Sequence, residues 1–416
     1  MAPFRFELLH QDKKSRARLG RIHTPHGDIQ TPAFVAVGTQ GSVKSLTPDE
    51  LKDLGVDVFM VNTYHMYLRP GMDVMKKVGG LHAFMGWNKP IMTDSGGFQV
   101  FSLARKKYLA SDTGNQSIKI DHPLVKITED GVEFRSHWDG SKHLFTPKFS
   151  MELQWLMGAD IHIAFDDCTP YPVTFPQAKK SMERTHRWAK ESLKAHRHLR
   201  GVKVFTSEVS GNHYQALYGS IQGSIFEKLR KQSAKVISGM DFDGIAIGGV
   251  SVGEGKKEMV QVLDWVTPLL PKDTPRHVLG VGEIDDIFEL VSRGIDTFDC
   301  VQPTRLARMG RLLVGNKQIY KSDKSTNRKF EIDITKKEYS KDTKPIDAAC
   351  MCYTCKHFSR AYVHHLFRVR ELLVYRLATI HNIHFINTLM EDIRSSIADG
   401  TFLELTRQYL YHKPRG

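Results

Sequence analysis

Three cysteines and a histidine carry the most specific chemical spacing in this 416-residue chain. Cys350, Cys352, Cys355 and His381 read C-x-C-x2-C-x25-H, a Cys3His set that suits a closed structural zinc site, one ion per chain. The tight spacing lets three thiolates come from one knuckle, and the histidine is expected on a helix around Leu366–Ile380. His357, His364, His365 and His384 compete for the fourth position. An iron–sulfur cluster, which usually takes four cysteines, suits the set less well.

A second kind of chemistry comes from polar residues that end otherwise apolar runs. Asp94, Asp166 with Asp167, Gln222, Gly248 with Gly249, the loop Gly280–Asp286 (GVGEIDD) and Asp299 all stand in such places. Carboxylates there are costly unless used or paired. A single Asp at such a turn is ordinarily a helix cap, whereas several converging on one rim make a site. Two carboxylates across a small cavity allow one to attack an anomeric carbon while the other moves protons, the logic of retaining glycosyl transfer. Gln222 offers donor and acceptor to the edge of a planar heterocycle, and Asp166 can accept from N–H and amino groups of the kind a guanine edge presents. Gly249 lets a backbone N–H come close to a ligand. The pair of glycines in DSGGFQ (94–99) is a weak candidate for a phosphate nest. Cys168 and Cys300, each at the end of a run, read as buried lining residues rather than nucleophiles.

Positive charge gathers after the last of these runs. Between Pro303 and Lys329 stand Arg305, Arg308, Arg311, Lys317, Lys321, Lys324, Arg328 and Lys329 against the single acid Asp323. Basic groups beside a carboxylate site suit a phosphodiester ligand, and a solvated charged loop is the plainer alternative. The formal charge of +13 points the same way without choosing between nucleic acid and solubility.

The elements that must hold these residues are legible as eight short runs rich in β-branched residues. They are Phe34–Gly38, Val58–Asn62, Ile91–Asp94, Ile161–Asp167, Leu217–Gln222, Gly244–Gly249, His277–Gly282 and Thr297–Val301. Helical stretches at Pro176–Leu199, Phe226–Ser238, Lys256–Leu269 and Ile284–Arg293 alternate with them. Such apolar runs suit parallel strands buried on both faces. Eight of them give the count of a (β/α)8 TIM barrel, with a doubly wound open sheet as competitor. Within residues 104–150 the pattern alternates like antiparallel hairpins with Asp-Gly turns, an antiparallel β insertion after strand 3. The expected organisation is a barrel over 1–305 including that insertion, a C-terminal zinc-binding helical subdomain over 306–400, and a tail or helix over 401–416. A loop is expected near 200–214.

Composition narrows the class. At 41% apolar and 25% charged, the chain reads as ordinary globular protein, not a disordered one. No apolar run reaches the roughly 18 residues of a membrane span. The N-terminal residues show no apolar core of a secretory signal, and five cysteines do not make a disulfide framework. A cytoplasmic location with no membrane contact is expected.

Several stretches together carry a family resemblance. TDSGGFQVFSL (93–103), AFDDCTPY (164–171), IQGS (221–224), GIAIGGVSVGEG (244–255), HVLGVGEIDDI (277–287), FDCVQPTR (298–305) and the Cys3His set resemble, in order, the queuine/archaeosine tRNA-ribosyltransferases, or tRNA-guanine transglycosylases. The resemblance runs from about residue 5 to 410. It implies a (β/α)8 barrel with a zinc subdomain and no nucleotide cofactor. The implied reaction exchanges guanine at the anticodon wobble position of tRNAs with GUN anticodons (the Asp, Asn, His and Tyr types) for a 7-deazaguanine.

By the same resemblance Asp299 is the nucleophile on ribose C1′, and Asp94 accepts and donates the proton of the base. Ser95, Gly96, Gly97, Asp166, Gln222, Gly249 and Val250 bind the base, Phe98 stacks on it, and Glu254 helps shape the wall. Gly280, Val281, Gly282, Glu283, Ile284, Asp285 and Asp286, with Thr304, Arg305, Leu306, Ala307 and Arg308, match stretches that contact tRNA around a flipped nucleotide. Cys168 and Val252 resemble the bacterial pocket, which takes 7-aminomethyl-7-deazaguanine. Gln302 and Leu306–Ala307 depart from the commonest family forms. A homodimer is implied as well. The other readings are a eukaryotic-type queuine-inserting catalytic subunit, a barrel N-glycosidase, and a non-catalytic zinc protein that binds RNA.

Overall fold

The computed structural model describes residues 4–97, 125–200, 213–315 and 330–410. Phe98, residues 104–124 of the expected insertion, most of the loop near 200–214 and the basic run 316–329 therefore lie outside the described residues. Eight parallel strands close into a barrel in chain order: β1 (Ala33–Val37), β2 (Phe59–Val61), β3 (Ile91–Thr93), β4 (Ile161–Ile163), β5 (Ala216–Ile221), β6 (Gly244–Ile247), β7 (Arg276–Val278) and β8 (Thr297–Cys300). Closure is made by β8 beside β1, with Asp299 opposite Val35. The open-sheet alternative is thereby excluded.

Period-2 alternation explains why the runs are apolar throughout. Ala33, Val35, Met60, Met92, Ile161, Ile163, Tyr218 and Ala246 form one buried cluster inside the barrel. Their neighbours Phe34, Ala36, Phe59, Val61, Ile91, Ile245, Ile247 and Phe298 belong to the cluster beneath the helices. Each strand is thus buried on both faces, at roughly 1.5–3 kcal/mol for every large side chain.

An antiparallel sheet not anticipated from the sequence, Arg5–Gln11, Arg18–Thr24 and Gly27–Thr31, caps the lower end. Its Ile22 and Ile29 join the interior cluster with no exposure. Arg18 pairs with Asp296, one residue before β8, and both side chains are buried.

The insertion is a three-stranded antiparallel sheet, Val125–Ile127, Val132–Arg135 and Lys142–Phe145. Asp130–Gly131 and Asp139–Gly140 occupy its two turns, and Gly140 takes φ +75°. Val132, Phe134 and Phe145 pack on Tyr64, Phe165 and Trp188. Since Tyr64 follows β2 and Phe165 follows β4, the sheet stands at the C-terminal rim.

After β8 come helix Gln302–Arg308, the antiparallel pair Arg311–Leu313 and Glu331–Asp333, and helices Tyr353–His357, Arg360–Val369, Leu373–Ala398 and Phe402–Leu410. The helix expected around Leu366–Ile380 is not continuous. Arg370, at φ +58°, ends one helix, and His381 stands on the next, Leu373–Ala398. That 26-residue helix lies against β1 and the segments on either side of it: Asn387 donates to the carbonyl of Leu54, between β1 and β2, at 2.7 Å, and Arg394 to that of Pro32, just before β1, at 3.0 Å.

Candidate active site and metal centre

The upper rim collects the polar ends of the strands. After β3, Asp94 is held by its neighbours from β2. The Thr63 and Gly96 backbone N–H groups each donate to Asp94 Oδ1 at 3.0 Å, and the Asn62 side-chain amide donates to Oδ2. Asn62 also accepts from His65 N at 2.9 Å, capping helix Thr63–Leu68. Burial pushes the Asp94 carboxyl up to about 7 against these donors, and the charge of Asp299 adds to the rise. The two carboxylates therefore stand on the same rim, and Asp94 feels the charge of Asp299.

Asp299, at the end of β8, accepts at Oδ1 from Gly280 N at 3.0 Å and faces His277 Nε2 at 3.2 Å. Its side chain keeps 15% exposure, so it remains reachable from the rim.

A second polar group stands at the ends of β4, β5 and β6. Gln222, after β5, donates from Nε2 to Asp166 Oδ2 at 2.7 Å, and the Ser95 hydroxyl lies 3.4 Å from Asp166 Oδ1. Burial raises the Asp166 carboxyl to about 6, opposed by the Gln222 bond. Gln222 Oε1 is buried and has no hydrogen-bond partner among the described residues, so it is available to a ligand. The turn after β6 passes very close. A Cβ on Gly249, which has φ +61°, would lie 2.5 Å from Gln222 Oε1, and one on Gly248 would lie 2.5 Å from its Nε2. Any larger residue at either position would push the Gln222 amide out of place, and the positive φ of Gly249 adds backbone strain there.

Arg230, unread from the sequence, fixes this turn. Its fully buried guanidinium donates to the carbonyls of Ser224, Ile221, Gly248 and Gly249 at 2.6–3.1 Å. Asn62 and His277 are polar residues at the ends of apolar runs whose carboxylate partners are distant in sequence, whereas Arg230 is one cation among several on a charged helix. Asp167, beside Asp166, turns away to pair with Arg184 at 2.6 Å. Burial raises the Cys168 thiol far above its usual range and the Cys300 thiol to about 12, which leaves both as poor nucleophiles.

Other candidates divide by exposure. Ser95, Gly96, Gly97 and Val250 are buried in the rim. In the loop after β7, Gly280 and Glu283 are exposed, Asp285 is half-buried, and Val281, Gly282, Ile284 and Asp286 are buried. Lys256 Nζ gathers Glu283, Asp285 and Asp286 at 2.6–3.0 Å, which neutralises part of their charge. On helix Gln302–Arg308, Arg305 and Arg308 face solvent while Thr304, Leu306 and Ala307 are buried.

Cys350, Cys352, Cys355 and His381 do converge, their donor atoms all within 4.8 Å of one another. His381 Nδ1 lies 3.7, 3.6 and 3.3 Å from the three sulfurs in turn. A tetrahedral zinc with ordinary Zn–S and Zn–N bonds separates S from N by about 3.5 Å, so the set fits. His381 Nε2 donates to the Leu313 carbonyl at 2.6 Å, which leaves the Nδ1 lone pair toward the thiols. Of the rival histidines, His384 reaches only Cys350, and His364 is bonded to the Ile334 carbonyl. Two further groups, His26 with His82 and Asp160, and Glu283 with Asp285 and Asp286, also bring possible ligands together. In the first, Asp160 is already bonded to His26 Nδ1 and to Ile91 N.

Comparison with known proteins shows the family to which the chain is similar. A family model described as queuine tRNA-ribosyltransferase matches residues 12–415. The queuine tRNA-ribosyltransferase of Thermoanaerobacter pseudethanolicus is 46% identical over 409 residues, covering 98% of this chain and 97% of that one. Its counterpart from Desulforudis audaxviator is 45% identical, covering 97% of each chain. A third, from Roseiflexus sp., is 46% identical over 97% of this chain and 98% of its own.

Proposed function

Because the chain belongs to the queuine tRNA-ribosyltransferase family, we propose that it is a tRNA-guanine transglycosylase of bacterial type. Its substrates on this reading are tRNAs with GUN anticodons, guanine and 7-aminomethyl-7-deazaguanine. The observation that supports it is the rim itself, where Asp94, Asp166, Gln222, Gly249 and Asp299 all stand at the C-terminal ends of barrel strands and Asp94 is lifted to about 7.

A double displacement follows from those positions. Asp299 attacks ribose C1′; the C1′–N9 bond breaks, its electron pair leaves with guanine, and a C1′–O ester forms. Asp94, near neutral pH in both protonation states, protonates the departing guanine and later takes the N9 proton of the incoming base. That base then attacks C1′ and releases Asp299. Asp166 and the free Gln222 carbonyl and amide read the donor and acceptor edge of the purine. Cys168 and Val252 support an aminomethyl substituent over the larger queuine side group.

The Cys3His set would hold one structural zinc, whose chemistry here is to cross-link the knuckle to helix Leu373–Ala398. The residue after His381, Asn382, bonds the Pro303 and Arg311 carbonyls at 3.0 and 3.1 Å and accepts from Leu313 N at 2.9 Å. The metal site would therefore brace Arg305 and Arg308, which we assign to the tRNA backbone together with the Gly280–Asp286 loop. Residues 306–400 act on this reading as the zinc-binding unit. We also infer a cytoplasmic homodimer. The exposed Met351, Tyr353, Tyr362, Val369 and Leu372 near the knuckle supply apolar surface for it.

The test is incubation with unmodified GUN-anticodon tRNA and labelled guanine. Label retained in tRNA, and chased out by 7-aminomethyl-7-deazaguanine, is expected. Absence of incorporation by metal-loaded protein would overturn the reading, and base loss to water would point to an N-glycosidase.

A further inference from the structure

His277 sits inside the barrel, one layer below the rim. Its register partners are Ala246 on β6 and Thr297 on β8, and the apolar cluster inside the barrel includes Ala33, Val35, Met60, Ile163 and Tyr218. An imidazole in such a layer is costly unless its nitrogens are satisfied. Both are. The side chain has no exposure; Nδ1 lies 2.9 Å from Thr297 Oγ1, and Nε2 lies 3.2 Å from Asp299 Oδ1.

The partners fix the tautomer. A carboxylate only accepts, so Nε2 carries the hydrogen and donates to Asp299, and in the neutral ring Nδ1 accepts from the Thr297 hydroxyl. Gly280 N–H donates to the same Oδ1. Asp299 Oδ2 makes no hydrogen bond to any of the described residues. One oxygen is clamped twice and the other is left free.

We propose that His277 is a positioning residue for the nucleophile: by holding Oδ1 it presents Oδ2 to the ribose C1′. The proposal rests on the transglycosylase reading above. When Oδ2 bonds C1′ and the C1′–N9 pair leaves with guanine, Oδ1 becomes the ester carbonyl and keeps both donors. On the return step the C1′–Oδ2 electron pair goes back to the carboxylate, and the two donors stabilise the charge as it reappears on Oδ1. A histidine that merely filled the barrel would contribute to stability and leave turnover per folded molecule unchanged.

The experiment compares His277→Phe, which keeps a ring without a donor, with His277→Gln, whose Nε2 reaches about as far as that of the imidazole. Guanine exchange into tRNA is measured on zinc-replete enzyme, normalised to folded protein by thermal melting. His277→Phe is expected to lose about 10- to 100-fold in kcat with KM for tRNA and guanine unchanged. The ribosyl-enzyme seen on denaturing gels should persist longer. His277→Gln is expected to recover most of the rate. If His277→Phe does not fold, Thr297→Val, which frees the imidazole while keeping it, is expected to lower kcat in the same direction. Wild-type turnover in His277→Phe would overturn the proposal, as would equal losses in the Phe and Gln variants. An inactive wild type would instead sink the transglycosylase reading, and this proposal with it.

Discussion

Gln222 donates its side-chain amide to Asp166 at 2.7 Å, tying the residue after β5 to the loop after its neighbour β4 along the rim of the barrel. The bond leaves Gln222 Oε1 without a partner among the described residues and holds the Asp166 carboxylate in place, the two groups proposed above to read the base. Gln222→Ala removes both. The KM for guanine is expected to rise about 10- to 100-fold, with the KM for tRNA little changed, because a charge-assisted bond and a base contact are lost together. Steady-state exchange at varied guanine checks it; an unchanged guanine KM would remove Gln222 from the base site.

Asp94 sets a pH dependence. Its ordinary value is 3.8 and its folded value about 7, burial being the main cause. Taking the N9 proton needs the ionised form, so kcat/KM for the incoming base should rise as pH passes about 7. Asp94→Asn should abolish that limb along with the activity. Between the two values the native state holds a proton that the unfolded chain has released, so the stability contribution of Asp94 falls as pH rises through that window. The Asn variant, free of that dependence, should therefore melt higher relative to wild type at pH 8 than at pH 5. A constant difference would show that Asp94 is not shifted.

Arg230→Met strips four buried carbonyls of their donor and frees the Gly248–Gly249 turn. We expect a loss of about 3 kcal/mol in urea unfolding and a raised guanine KM. Retention of both would mean the turn is held by other contacts.

One zinc per chain is expected by elemental analysis, lost in Cys352→Ser and retained in His384→Ala. Its removal should lower the melting temperature by about 10 °C or more, since binding energy at such a site is folding energy. It should also weaken tRNA binding through the Asn382 link to Pro303. Full zinc in Cys352→Ser would refute the ligand set.

Much of this was legible from residue order. The eight strands announced themselves because parallel strands buried on two faces must be apolar throughout; every run overlaps an observed strand, with end differences of one or two residues except at Asp167 and Gly282, where the runs extend four residues past the strands. The Cys3His spacing is local, so its three sulfurs and His381 were readable, while only the fold separates His381, whose Nδ1 lies within 3.7 Å of all three sulfurs, from its rival His384, which reaches Cys350 alone. The N-terminal sheet escaped because its apolar positions are few and exposed residues intervene. Its partner surface is the barrel interior, built from strands up to about 200 residues away.

What residue order determined by itself is the inventory: which strands exist, and that carboxylates, an amide and glycines end them. What only the tertiary structure decided is which of those groups meet. Asp166 and Asp167 are identical in type and adjacent, yet one bonds Gln222 and the other Arg184. His277 differs in no local way from a packed core histidine until β8 brings Asp299 beside it. The reason is physical: a side chain's chemistry is fixed by its atoms, but its orientation, burial and shift depend on neighbours that barrel closure alone delivers.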